Sequence, residues 1–259
     1  MKESSKKIMK AFEQKAFIPF IMLADPDFDS TINIAKTLAD NGANIIELGL
    51  PAKEAPLDGP SVVSAHQRAL LNNLSNDEIF TLIGEIKSNL DIPILIMAYM
   101  AALKEYGFKE IITKLADLDV DGIIVPDLSY SYMNEYGQII GSSPLSFVMV
   151  VNPAMDDKQI EYLVNITEGF LYVAAGAKTG KTSNSLNEIA SLIRITKAKR
   201  DIPTAIGFGI KTPSDAKEKS EISDGVIIGS AIVDIIGEHG TNNLQYLDQF
   251  AKEIVISIR

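Results

Sequence analysis

The chain has 259 residues, 46 % of them hydrophobic, enough for a large buried core and compatible in length with one large α/β domain or two smaller ones. It has no cysteine, which excludes disulfides, thiolate nucleophiles and sulfur-ligated metals, and its isolated His66 and His239 offer little to a metal site. A formal charge of −10 argues against nucleic-acid binding, which needs a basic surface to displace counterions from phosphates; no eighteen-residue apolar run or basic-then-apolar leader points to a membrane, so a cytoplasmic protein is expected.

The N-terminal residues lead into an amphipathic segment, Ile8-Met9-Lys10-Ala11-Phe12, read as an N-terminal helix. Short apolar runs rich in β-branched residues then recur: FIPFIML (17–23), NIIELG (44–49), IPILIMAY (92–99), DGIIVPD (121–127), LSFVMVV (145–151), GFLYVAA (169–175), IPTAIGFG (202–209) and DGVIIGS (224–230). Helical periodicity fills the intervals, as in Ile32, Ala35, Leu38 and Ala39 ahead of Gly42. Capping boxes at Ser75-Asn76-Asp77-Glu78 and Ser185-Leu186-Asn187-Glu188 open two further helices, and 242–259 reads as a closing helix. Strands alternating with helices over this length predict an α/β fold, a (β/α)8 TIM barrel in a single domain, 1–259. An open doubly wound sheet has the same periodicity and stands as the alternative.

In such a barrel the chemistry sits at the carboxyl ends of the strands. Glu47 ends the second run, and alternation along the strand puts it on the face opposite Ile46 and Leu48. A carboxylate is costly against the apolar helix layer, so Glu47 is expected in the barrel mouth, with partial desolvation raising its pKa toward an acid/base range. The bland alternative is a solvated or ion-paired glutamate. Asp58 follows in a loop stiffened by Pro51, Pro56 and Pro60, which could return a second carboxylate over the mouth; the alternative is an ordinary Asp58-Gly59 turn.

A phosphate site is expected independently. Gly207-Phe208-Gly209 ends the seventh run, and Gly229-Ser230 ends the eighth just before helical 231–236, where barrels commonly cradle phosphate on backbone N–H groups. Such a site would suit a small phosphorylated substrate despite the acidic charge. The run 175–182, AGAKTGKT, also fits a relaxed P-loop, with Ala175 in place of glycine. Against it, Ser183-Asn184 separate Gly-Lys-Thr from the cap at Ser185.

With these pieces in place, the sequence resembles the tryptophan synthase α-subunit family from 17 to 236. The resemblance is carried by FIPFIMLADP, the ELG-x-P…DGP block, VPDLS, the GFGI turn and GSAIV. It implies retro-aldol cleavage of indole-3-glycerol phosphate to indole and glyceraldehyde 3-phosphate, with no metal or organic cofactor. It also implies a pyridoxal-phosphate-dependent β subunit as partner in an α2β2 heterotetramer. By position, Glu47 matches the general acid/base, Asp58 the carboxylate that holds the indole N–H, and Tyr172 the tyrosine near the catalytic glutamate. Gly180, Gly209, Gly229 and Ser230 match the phosphate cradle, and Phe20, Tyr99 and Phe208 the indole pocket.

Departures from the family pattern fall in loops. Residues 51–57, PAKEAPL, lack the usual Phe-Ser pair and shift the middle proline; Ala101 replaces an asparagine and Ser129 a proline; Ala177-Lys178-Thr179-Gly180 stands for a Gly-Val-Thr-Gly motif. These changes spare both carboxylates, so chemistry is expected to be retained while loop closure and communication with the partner differ. A free-standing indole-producing lyase and a non-catalytic barrel that binds phosphate or the β subunit are the alternatives.

Overall fold

Eight strands close into a ring in chain order, each parallel to the next, with β1 (Ala16–Met22) hydrogen-bonded to both β2 (Ile46–Gly49) and β8 (Gly225–Ile228). That pairing of first and last strands excludes the open doubly wound sheet. Between them lie β3 (Ile94–Met97), β4 (Gly122–Ile124), β5 (Ser146–Val151), β6 (Leu171–Val173) and β7 (Thr204–Ile206). The computed structural model describes residues 1–128, 130–174 and 185–259.

The helices are α1 (Glu3–Lys10), α2 (Phe28–Asp40), α3 (Pro60–Leu71), α4 (Asn76–Ser88), α5 (Met100–Tyr106), α6 (Phe108–Asp117), α7 (Tyr130–Ser142), α8 (Asp157–Ile166), α9 (Leu186–Lys199), α10 (Pro213–Ser220), α11 (Ser230–His239) and α12 (Leu244–Ile258). Both expected capping boxes form, at Ser75 with Glu78 and at Ser185 with Glu188. Two helices rather than one join β3 to β4, divided at Gly107, whose φ of +84° takes the chain out of helical geometry. Among the described residues no helix is long and apolar enough to cross a membrane.

Strands buried on both faces need apolar side chains throughout, and every residue of β1 is buried, Phe17, Ile18 and Ile21 completely. Each such side chain contributes roughly 1.5–3 kcal/mol relative to exposure. The amino-terminal end of the ring is plugged by α1. Ile8 fits where Gly169 and Gly122 leave space, since a Cβ there would lie 2.7 Å and 3.3 Å from Ile8. Phe12, just beyond α1, packs on Phe170 with ring centroids 5.2 Å apart.

The same end carries a repeated polar device. A side chain just ahead of each even-numbered strand accepts an N–H from the start of the preceding odd-numbered one: Asn44 from Phe17, Asp121 from Ile94, Glu168 from Phe147 and Asp224 from Thr204. Each acceptor also meets a cation, in order Arg259, Lys87, Lys2 and Lys197. The N–H groups at the strand starts are thus satisfied inside the fold, where leaving one unpaired would cost about 1–3 kcal/mol. With this end closed, the opposite end remains for a site.

Candidate active site

Strand register decides which side chains enter the barrel. Phe20 pairs with Glu47, and Val150 with Tyr172. Parallel partners share a face and alternate residues along a strand do the same. Following the ladder from Glu47 through Leu95, Gly122 and Ser146 to Val150 puts Phe20, Glu47 and Tyr172 on one face. β2 and β6 stand on opposite sides of the ring, yet after burial the nearby Glu47 carboxylate is the next cause that raises the Tyr172 pKa, so the two side chains approach each other across the interior. That shared face is therefore the inside.

Glu47 is 2 % exposed, and its Oε2 has no hydrogen-bond partner among the described residues. Burial first, and the Asp58 charge second, push its pKa up to about 8. It therefore carries its proton at neutral pH. Asp58 precedes α3, with Gly59 as N-cap and Pro60 starting the helix, where a missing N–H costs nothing. The helix brings His66 back over the loop, and its Nε2 lies 3.0 Å from Asp58 Oδ2. Two positions further, Arg68 grips Asp25 with two hydrogen bonds of 2.8 and 2.7 Å and donates to the carbonyl of Val233 on α11. Gly237 leaves room for that guanidinium, since a Cβ there would come within 2.7 Å of it.

Tyr99 leaves β3 as the N-cap of α5 and is 1 % exposed. Burial and then the Asp58 charge raise its pKa; the carboxylate is close enough to act electrostatically but does not meet hydrogen-bonding geometry, so the enclosed hydroxyl is unpartnered among the described residues. Tyr172 donates to the Gly207 carbonyl at 3.3 Å, and burial, then the charges of Glu47 and Asp58, hold its phenol well above the ordinary range. Gly207 has to be glycine here, because a Cβ would lie 2.1 Å from the Tyr172 hydroxyl.

Phe20 spans the mouth. Added Cβ atoms at Gly49 and Gly229 would lie 2.6 and 3.3 Å from its ring, so it packs between the end of β2 and the start of α11. Gly229 is the N-cap of α11 and Ser230 its first residue, and among the described residues no side chain caps the helix. Gly209 follows β7 with φ +65°, and Phe208 beside it is 50 % exposed, unlike the buried Phe20 and Tyr99. Gly180 lies outside the described residues, as do the relaxed P-loop and Ser129.

The structure thus brings Glu47, Asp58, Tyr99 and Tyr172 into one electrostatic cluster, with Phe20 joining it to the Gly229–Ser230 turn. Sequence reasoning missed His66, Arg68 and Asp127, whose Oδ1 accepts from the Met100 N–H at 2.9 Å and fixes the start of α5. Asp127 had a signal, its place at the carboxyl end of an apolar run. His66 and Arg68 had none beyond lying on the helix after Asp58.

Comparison with known proteins gives the arrangement a context. The family model described as tryptophan synthase alpha chain matches residues 7–256. The tryptophan synthase alpha chain of Lacticaseibacillus casei is 33 % identical over 245 residues, spanning 94 % of this chain and 92 % of its own. That of Caldanaerobacter subterraneus subsp. tengcongensis is 32 % identical over 252 residues, spanning 97 % and 95 %. The crystal structure of the tryptophan synthase alpha chain from Legionella pneumophila superposes with a TM-score of 0.87 at 25 % identity, over 100 % of this chain and 97 % of that one. With a match over nearly its whole length, the chain belongs to the tryptophan synthase alpha chain family.

Proposed function

We propose that Glu47, Asp58 and Tyr172 carry out the cleavage of indole-3-glycerol phosphate to indole and glyceraldehyde 3-phosphate. The observation that carries this reading is Glu47 itself: an inward carboxyl, 2 % exposed, whose Oε2 has no partner among the described residues and whose pKa burial pushes up to about 8. Protonated Glu47 donates its proton to the ring carbon that bears the side chain, leaving positive charge on the ring nitrogen. Asp58 accepts the hydrogen bond of that nitrogen and stabilises the charge. The Glu47 carboxylate then takes the proton of the adjacent side-chain hydroxyl. As the carbonyl forms, the carbon–carbon bond breaks and its electron pair restores the aromatic ring. Glu47 ends protonated, ready for the next turnover, so the sequence needs no outside acid or base. Tyr172, held protonated, serves as a neutral hydroxyl beside the glutamate rather than as a base.

Phosphate binding by Gly209, Gly229, Ser230 and the undescribed Gly180, and an indole pocket of Phe20, Tyr99 and Phe208, complete the reading. The first turn of α11, uncapped by any described side chain, and the packing of Phe20 against Gly229 support it. Membership of the family supports a pyridoxal-phosphate-dependent β subunit as partner in an α2β2 assembly. The test is indole release from indole-3-glycerol phosphate by the purified chain, with and without a β subunit. Glu47→Gln is expected to lose about 100-fold to 10,000-fold, the usual contribution of one general acid/base. Equal turnover by wild type and Glu47→Gln would overturn the reading.

A further inference from the structure

We infer that His66 is a positioning residue for Asp58: its imidazole ties both ends of the loop between β2 and α3 and sets the carboxylate for the substrate's ring N–H. This rests on the role proposed above for Asp58.

Both ring nitrogens are engaged. The Ala52 backbone N–H points at Nδ1 from 3.0 Å, and Asp58 Oδ2 lies 3.0 Å from Nε2. A backbone N–H can only donate, so Nδ1 holds a lone pair and the ring proton sits on Nε2, donating to the carboxylate. The pair is therefore a neutral imidazole on a charged acceptor rather than an ion pair. His66 is 2 % exposed, so its ring is shielded from water, whereas the Asp58 side chain keeps 14 % of its surface open toward the mouth. It is also carried by a fixed element, since Arg68 on the same helix is clamped to Asp25 and to the Val233 carbonyl.

Ala52 lies near the start of the loop that follows Gly49 and Asp58 near its end before Pro60, with Lys53, Glu54 and Leu57 exposed between them. The imidazole takes up Oδ2 and thereby fixes the plane in which Oδ1 can meet a ligand. The Tyr99 ring, 6.5 Å away and tilted by 50°, packs beside the imidazole. The competing role is a plain loop staple, in which the bond to Ala52 matters and the bond to Asp58 does not.

Two substitutions separate these roles. Asparagine reaches as far as Nδ1 and can still accept from Ala52, but falls short of Asp58. Glutamine reaches as far as Nε2 and can donate to Asp58, but leaves the Ala52 N–H without its acceptor. For positioning, His66→Asn is expected to lower kcat about 100-fold with KM little changed, the size of effect that follows from misplacing a reacting group by about 1 Å. His66→Gln should recover most of that loss. In an Asp58→Asn background, His66→Asn should cost little more, because its action runs through the carboxylate.

The assay is indole release from indole-3-glycerol phosphate by the full chain, with near-ultraviolet circular dichroism confirming the fold of each variant. If His66→Asn matches wild type while Glu47→Gln is inactive, the inference on His66 falls and the cleavage reading stands. His66→Gln impaired more than His66→Asn assigns the staple role and overturns the inference as well. If Glu47→Gln matches wild type, the cleavage reading itself fails. Should His66→Asn not fold, the inference rests on His66→Gln, and a kcat for it as low as that of Asp58→Asn overturns it.

Discussion

At the scale of single residues, the proposed chemistry depends on where Glu47 keeps its proton. Its pKa of about 8 arises mainly from burial and secondarily from Asp58, so the acid form dominates at neutral pH. In the proposed cleavage the first step consumes that form, so raising the pH would remove the reactive species. kcat/KM, which reports the free enzyme, is expected to be level through neutral pH and to fall about tenfold per pH unit above roughly 8. A profile still level at pH 9.5 would show that the protonated carboxyl is not required. Glu47 was legible in the sequence because a charged residue ending an apolar run has few places to go, and Asp58 because prolines stiffen its loop. His66 was not, because its contacts with Ala52 and Asp58 exist only once α3 has folded back across the loop. Gly207 was legible only as part of a phosphate turn; the structure adds that it makes room for the Tyr172 hydroxyl, a partner 35 positions away in sequence.

At the scale of elements, apolar runs located all the strands while overstating most of their carboxyl ends, β2 and β5 excepted. The runs 92–99 and 202–209 become Ile94–Met97 and Thr204–Ile206. Their last residues turn away to build the mouth: Tyr99 caps α5, and Gly209 adopts φ +65°. Hydrophobicity alone cannot separate a ladder residue from an apolar residue lining a pocket. The polar acceptors ahead of the even-numbered strands were equally hidden, since Asn44, Asp121, Glu168 and Asp224 differ in type and share only their position. Of these, Asp121 is the most deeply buried, its side chain 1 % exposed against Lys87 at 14 %. Removing the carboxylate leaves the largely buried Lys87 ammonium and the Ile94 N–H unsatisfied together. Asp121→Ala is therefore expected to lower stability by roughly 3–5 kcal/mol, read from the midpoint of denaturant unfolding. A loss under about 1 kcal/mol would mean that water replaces the carboxylate at no cost.

At the scale of the whole molecule, the ring separates two tasks by its two ends. One end is held by α1 and the polar acceptors, the other carries Glu47, Asp58 and the turns of Gly209 and Gly229. The division follows from parallel strands, because every strand presents its carboxyl end on the same side, where loops can vary without disturbing the ladder. It also explains why departures from the family pattern within 51–57 coexist with an intact carboxylate pair. If the ends are energetically separate, damage to the plug should appear in stability and not in chemistry. Ile8 tests this. It is completely buried and fills the space above Gly169 and Gly122, so Ile8→Ala opens a cavity that glycine neighbours have no side chains to fill. The expected cost is about 2–5 kcal/mol in unfolding free energy, with kcat and KM for indole release unchanged at a temperature where the variant remains folded. A matched fall in kcat would show that packing at the closed end reaches the mouth through the strands, and that the barrel acts as one mechanical unit rather than as a stable base under an independent site.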